Sequence, residues 1–211
     1  MSSNAIDLEE LERDALTELV NIGVSRAASS LRQMVSRQVM LSVPAVEVVT
    51  RPAATALIRE RETGPLVAVR QDFHGAFEGQ ALLIFPEQNS LALVRSVTGD
   101  ELNAQELSDI EDEALSETGN IVLNSCLATM ANMLERPLEM SLPLVIRGEG
   151  ARLFALDDGG ADGVVLFLYI NFAIAEQDIR GYIAMLMDLP SLDTLKILIR
   201  EFIKRVVGDD V

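Results

Sequence analysis

Histidine and cysteine are nearly absent from this chain, which holds one of each, His74 and Cys126, among 211 residues. A lone cysteine cannot close an internal disulfide and accords with a reducing compartment. With a single histidine, most zinc chemistry and histidine-dependent nucleophilic catalysis fall away, and no metal site is expected. Positive charge is also scarce: 17 Lys and Arg stand against 33 Asp and Glu, a formal net charge of −16, and no basic run offers a phosphate-binding stripe. Nucleic acid and anionic membrane surfaces are therefore excluded as partners. Long apolar runs are missing too, since Gly163 to Phe172 reaches only strand length, against the roughly 20 residues a membrane helix needs. The stretch Met1 to Glu10 has acidic residues and no basic-then-apolar signal pattern, so a cytoplasmic location is expected. Carboxylates, amides and hydroxyls are the chemical vocabulary that remains.

What is present is a hydrophobic content of 49%, enough for a sizeable core. Apolar residues recur at helical spacing without proline from Leu8 to Arg37, which predicts a long amphipathic helix. Strand-like segments follow at Ala45 to Thr50, Ala54 to Arg59, Leu66 to Phe73 and Gly79 to Phe85. Pro86 then opens a helix over Glu87 to Val97, stopped by Gly99. After a polar connection, Gly99 to Ser108, the plan restarts with a helix over Ile110 to Glu135. Strands are expected at Leu138 to Ile146, Val164 to Ile174 and Ile179 to Leu189, with a turn at Asp157 to Gly160. A last helix runs from Pro190 to about Val207, striped by Leu192, Leu195, Ile199, Phe202 and Val206.

This repeated order reads as an internal duplication of about 8–99 and 107–207. Glu18, Asn21 and Pro44 recur 99 positions later as Glu117, Asn120 and Pro143, and isoleucine follows asparagine in both copies. Gly79 and Gly181 open looser echoes, each apolar and each leading into a proline-started helix. Halves this small, without an obvious linker, are expected to share one sheet in a single domain over 1–211.

At about 100° per residue, Asp14, Glu18, Asn21 and Ser25 share one side of the first helix, opposite Leu16, Val20, Ala27, Leu31 and Met34. The second helix sets Glu113, Glu117, Asn120 and Asn124 opposite Leu115, Val122, Cys126, Met130 and Met133, so Cys126 reads as core. Glu and Asn at i and i+3 lie about 5–6 Å apart at Cβ and can share one small target. A carboxamide can orient a water without removing its proton, while a carboxylate can grip a cation on a partner. Phosphoryl transfer profits most from such alignment, because it asks little covalent chemistry of the protein. One Glu-x-x-Asn pair is commonly an ordinary solvated helix face. Two pairs, each followed by proline after the same 22 residues, form a far more specific pattern.

Asp or Ser, three residues, Glu, two residues, Asn, 22 residues and Pro is a pattern that resembles the signature of the CheC, CheX and FliY phosphatases. Asp14, Glu18, Asn21 and Pro44 match it in full; Glu117, Asn120 and Pro143 match the second copy, where Glu113 stands in place of the usual Asp or Ser. The resemblance spans nearly the whole chain and is nearest to CheC, since CheX-like proteins carry one motif and FliY-like proteins add a flagellar-switch domain beyond it. It implies an α/β (α+β) fold of pseudo-twofold symmetry, with a central six-stranded sheet flanked by helices and two long exposed motif helices. By the same resemblance, Glu18 or Glu117 engages the active-site lysine of a phosphorylated CheY-like response regulator, and Asn21 or Asn120 orients the attacking water. Asp14 and Glu113 then belong to the partner-binding face. No cofactor of the chain's own is implied; Mg2+ comes with the receiver. A CheD-like deamidase is a further implied partner, and the alternative reading is a non-enzymatic adaptor like the flagellar switch protein FliM.

Other residues invite plainer readings. His74 suits a turn or surface position, and Ser125 has no histidine near it in sequence. Asp109, Glu111, Asp112 and Glu113 suit a helix start, and Asp157 to Asp162 lacks the later glutamate of a calcium loop.

Overall fold

Two proline-free amphipathic stretches fold as the long helices of the protein, in a computed structural model that describes residues 8–35, 39–43, 46–98, 103–154, 163–174 and 177–208. The first half runs α1 (Glu10–Val35), β1 (Val39–Ser42), β2 (Val46–Thr50), α2 (Arg51–Arg61), β3 (Leu66–Gly75), β4 (Gly79–Pro86) and α3 (Glu87–Thr98). The second runs α4 (Ala104–Met133), β5 (Leu138–Met140), β6 (Leu144–Gly148), α5 (Gly150–Leu153), β7 (Val164–Ile174), β8 (Gln177–Met187) and α6 (Leu189–Val207). Helix α4 starts earlier than its apolar pattern because Asn103 and Glu106 form a reciprocal capping box.

All strand pairings are antiparallel, in the order β1-β7-β8-β4-β3-β5, with β2 also on β7 and β6 also on β3. The sheet holds eight strands where six were expected, because each of its two edge positions is shared by two short strands. The halves exchange their edges: β1 and β2 of the first lie on β7 of the second, while β5 and β6 of the second lie on β3 of the first. Register repeats with the sequence. Val39 faces Ile174 and, 99 residues away on both strands, Leu138 faces Gly75; Val46 faces Leu168 as Val145 faces Val69.

The larger core lies between the sheet and α1, α3, α4 and α6, and includes Leu16, Val24, Leu83, Leu123 and Ile199. A smaller core on the opposite face packs α2 and α5 over the sheet through Ala54, Ile58, Leu153, Phe154 and Phe167. Cover on both faces explains why Ala81 to Phe85 is a continuous apolar run, buried throughout.

Several sequence expectations are corrected. The strand expected at Ala54 to Arg59 is helix α2: the Thr50 hydroxyl accepts from the Ala53 N–H, Pro52 stands in the first turn, and Ala54 and Ile58, four apart, form its buried side. The strand expected over Leu138 to Ile146 is two strands broken around Pro143, which has no N–H to give a ladder. Strand β1 and the single turn α5 were not anticipated, being too short to show a period. On α6, Ile203 rather than Val206 completes the buried stripe, and Val206 is exposed. The turn expected at 157–160, Pro44 and Met34's side chain lie outside the described residues.

Helices α1 and α4 meet closely. A Cβ on Gly23 would stand 2.7 Å from the Cα of Cys126, so only glycine permits this approach. Burial pushes the Cys126 thiol up to about 12. Gly23→Ala is expected to lower stability by about 1–2 kcal/mol in urea unfolding, because overpacking against backbone outweighs the roughly 1 kcal/mol that alanine gains in a helix. Gly64→Ala, where the added atom meets nothing within 4 Å, serves as the neutral control. Cys126 should resist an aromatic disulfide reagent at pH 8 in the native protein and react fully once unfolded.

Candidate functional site

The buried stripes of the two long helices fix which side faces out. Leu16, Val20, Ala27 and Leu31 are buried on α1, and Leu115, Val122, Cys126 and Met130 on α4. Asp14, Glu18 and Ser25 are consequently exposed, with Asn21 half-buried at the margin. Glu113 and Glu117 are exposed on α4, and Asn120 and Asn124 half-buried. In each copy the predicted Glu and Asn therefore share one face, and Asn21 reaches inward to the chain that follows its own helix.

In the first copy that contact falls just before the motif proline in sequence. The Oδ1 of Asn21 accepts from the backbone N–H of Val43 at 3.2 Å, one residue before Pro44. A backbone amide can only donate, so the Asn21 carboxamide has one permitted orientation, oxygen inward and amino group free to turn outward.

Asn120 is held differently. Its Oδ1 accepts from Asn124 Nδ2 at 2.6 Å and faces Gln71 Nε2 at 3.3 Å. Gln71, on β3, also donates to Asn124 Oδ1 at 3.2 Å and to the Ser141 carbonyl at 2.9 Å. Ser141 is itself stitched to β3: its N–H donates to the Asp72 carbonyl, and its hydroxyl accepts from the Asp72 N–H, both at 2.9 Å. Since a carbonyl only accepts, the nitrogen of Gln71 must face Ser141, and this choice sets both neighbouring amides in turn. Gly119 makes room for the cluster, as a Cβ there would lie 2.4 Å from the Val69 side chain. Gln71 is only 1% exposed, and its Oε1 has no hydrogen-bond partner among the described residues. Sequence reasoning missed Gln71, because it sits in a strand whose pattern points only to core.

The copies differ around these asparagines. Register places Ile170 opposite the role of Gln71, and the helix offset places Ser25 opposite Asn124. Val43 is 3% exposed whereas its counterpart Leu142 is 88% exposed. An open groove of about 570 Å³ borders Glu18 and Asn21, lined also by Ser25, Arg26 and Ser29. Arg26 donates to Thr129 Oγ1 at 3.2 Å; its counterpart is Ser125, so the second copy has no arginine at that point.

The acidic start of α4 has a structural use. Arg147 on β6 meets Asp112 at 2.6 Å and Glu111 at 3.4 Å, and the hydrogen bond to Asp112 raises its pKa above the ordinary arginine value. His74 is exposed, 3.6 Å from the Glu78 carboxylate. Among the described residues no group of three His, Cys, Asp or Glu is placed to hold a metal ion, and no helix is long and apolar enough to cross a membrane.

A family model described as Chemotaxis phosphatase CheX matches residues 67–168, and a CheC-like family model matches residues 11–48. The chain is similar to the CheY-P phosphatase CheC of Bacillus subtilis (strain 168), 24% identical over 198 residues that span 89% of this chain and 93% of that protein. It is also similar to the flagellar motor switch phosphatase FliY of the same organism, 29% identical over 142 residues, 66% of this chain but 36% of that longer protein. Thermotoga maritima FliY shares the fold with a TM-score of 0.71 at 17% identity, over 92% of this chain and 98% of that one. The FliM middle domain from H. pylori shares it with a TM-score of 0.61 at 10% identity, over 90% and 99%.

Pinning of Asn21 by Val43 can be read directly by hydrogen exchange. The Val43 amide is expected to exchange slowly, and Asn21→Ala to speed it by tenfold or more, while core amides of β4 keep their protection.

Proposed function

The chain belongs to the CheC, CheX and FliY superfamily of chemotaxis phosphatases, and on that footing we propose that it hydrolyses the aspartyl phosphate of a CheY-like response regulator at two sites, Glu18 with Asn21 and Glu117 with Asn120. One observation carries the reading: each pair stands on an outward helix face, its carboxylate exposed and its carboxamide held by the protein through oxygen. A carboxamide fixed in this way offers its amino group to a water oxygen, leaving a second lone pair of that water for phosphorus. The new bond joins water oxygen to phosphorus and the bond from phosphorus to the aspartyl oxygen breaks, so the carboxylate departs with its electron pair and a water proton passes to the phosphate or solvent. Holding the water costs the protein little at the moment of reaction, because the amide is already oriented.

Glu18 and Glu117 serve the docking step, each gripping the lysine of the receiver, with Asp14 and Glu113 one turn earlier extending the same acidic line. The Mg2+ ion belongs to the phosphorylated receiver and arrives with the substrate. FliM-like adaptors share the fold, and the phosphatase reading differs from theirs in requiring both members of each pair.

Decay of a phosphorylated CheY-like receiver tests the reading. Glu18→Ala/Asn21→Ala and Glu117→Ala/Asn120→Ala should each remove part of the acceleration, and the four-fold variant should return decay to the intrinsic rate of the receiver. A four-fold variant as fast as the parent would sink the proposal, and receiver binding without acceleration by the parent would mark an adaptor instead. The roles should also separate kinetically. Glu→Gln at both sites is expected to raise KM for the phosphorylated receiver more than it lowers kcat, and Asn→Ala to lower kcat with little change in KM.

A further inference from the structure

We propose that Gln71 is a positioning residue for the second site, setting the orientation of the Asn120 carboxamide through Asn124. The inference rests on the phosphatase reading for its kinetic consequence, but its structural content stands apart from it. Three observations converge. First, the direction of the relay has a single solution: the Ser141 carbonyl accepts from Gln71 Nε2 at 2.9 Å, Gln71 donates to Asn124 Oδ1 at 3.2 Å, and Asn124 Nδ2 donates to Asn120 Oδ1 at 2.6 Å. Reversing Gln71 would set its oxygen against the Ser141 carbonyl and leave Asn124 free to turn.

Second, the fold itself has no need of an amide there. Ile170 fills the corresponding place on β7, 1% exposed, with its hydrocarbon packed in the core. Third, Gln71 is 1% exposed and its nitrogen lies within hydrogen-bond reach of three acceptors of the cluster, the Ser141 carbonyl, Asn124 Oδ1 and Asn120 Oδ1. A group that the packing does not require, buried and hydrogen-bonded within the cluster that holds Asn120, has the position of a device for aligning that residue. In the first copy the backbone N–H of Val43 does the same work, so no counterpart of Gln71 is needed.

The experiment uses the full chain with the first site silenced by Glu18→Ala/Asn21→Ala, and compares Gln71, Gln71→Leu and Asn124→Ser in that background. Side-chain amide NMR gives the first readout. With Gln71 present, the Asn124 amide protons should be distinct, one shifted by its bond to Asn120 and slow to exchange; Gln71→Leu and Asn124→Ser should both alter the Asn120 amide signals. Receiver dephosphorylation gives the second: kcat should fall about tenfold in either variant with KM unchanged. Unperturbed Asn120 signals in Gln71→Leu would overturn the proposal, as would altered signals accompanied by an unchanged kcat. Should the silenced parent show no phosphatase activity, the phosphatase reading of the second site fails, and the NMR comparison alone decides whether Gln71 orients Asn120. A fall in thermal stability of Gln71→Leu is met by Asn124→Ser, which breaks the same relay from the helix surface.

Discussion

Hydrogen bonds between the two halves of the chain hold both sites in place. Each motif helix is followed by a short edge strand, and neither strand pairs within its own half: β1 and β2 lie on β7, and β5 and β6 on β3. The exchange draws the segment before each motif proline across to the opposite half. There the backbone at Val43 meets Asn21, and Ser141 joins β3 beside Gln71. An asparagine on a solvated helix would sample many rotamers; against these fixed groups it keeps one.

This architecture makes sense of a chain whose reactive vocabulary is so small. Under the proposed function, two oriented carboxamides and two exposed carboxylates demand only that a partner bring the labile bond. Net negative charge of −16 suits a cationic target on that partner, although such attraction between exposed groups falls with ionic strength.

Much of this was legible in the residues. Helical periodicity located both motif helices and their buried stripes, since a long amphipathic pattern averages over many positions. The residue offset of 99 read in the motifs also appears in the strand register, where Val39 faces Ile174 and Leu138 faces Gly75. What stayed hidden was local or distant. Helix α2 was misread because Ala, Thr, Leu and Ile in a short window suit either period, and only the Thr50 cap and Pro52 decide for helix. The edge exchange and Gln71 depend on contacts between residues far apart in the chain, which no local pattern records.

The two asparagines show how a duplicated site can diverge without altering the fold. Asn21 leans on a backbone amide, and at residue 43 only proline would delete that donor, so its anchor survives almost any substitution there. Asn120 leans on side chains, and a single change at residue 71 or 124 removes one of its two hydrogen bonds. Around the second site the same geometry also turns Leu142 into solvent, where its counterpart Val43 is buried. One copy is therefore bound to the fold through its backbone, and the other is adjustable through amides that could differ without disturbing the sheet. A protein with both can change how one carboxamide is presented, and what apolar surface lies beside it, while the other continues unaltered.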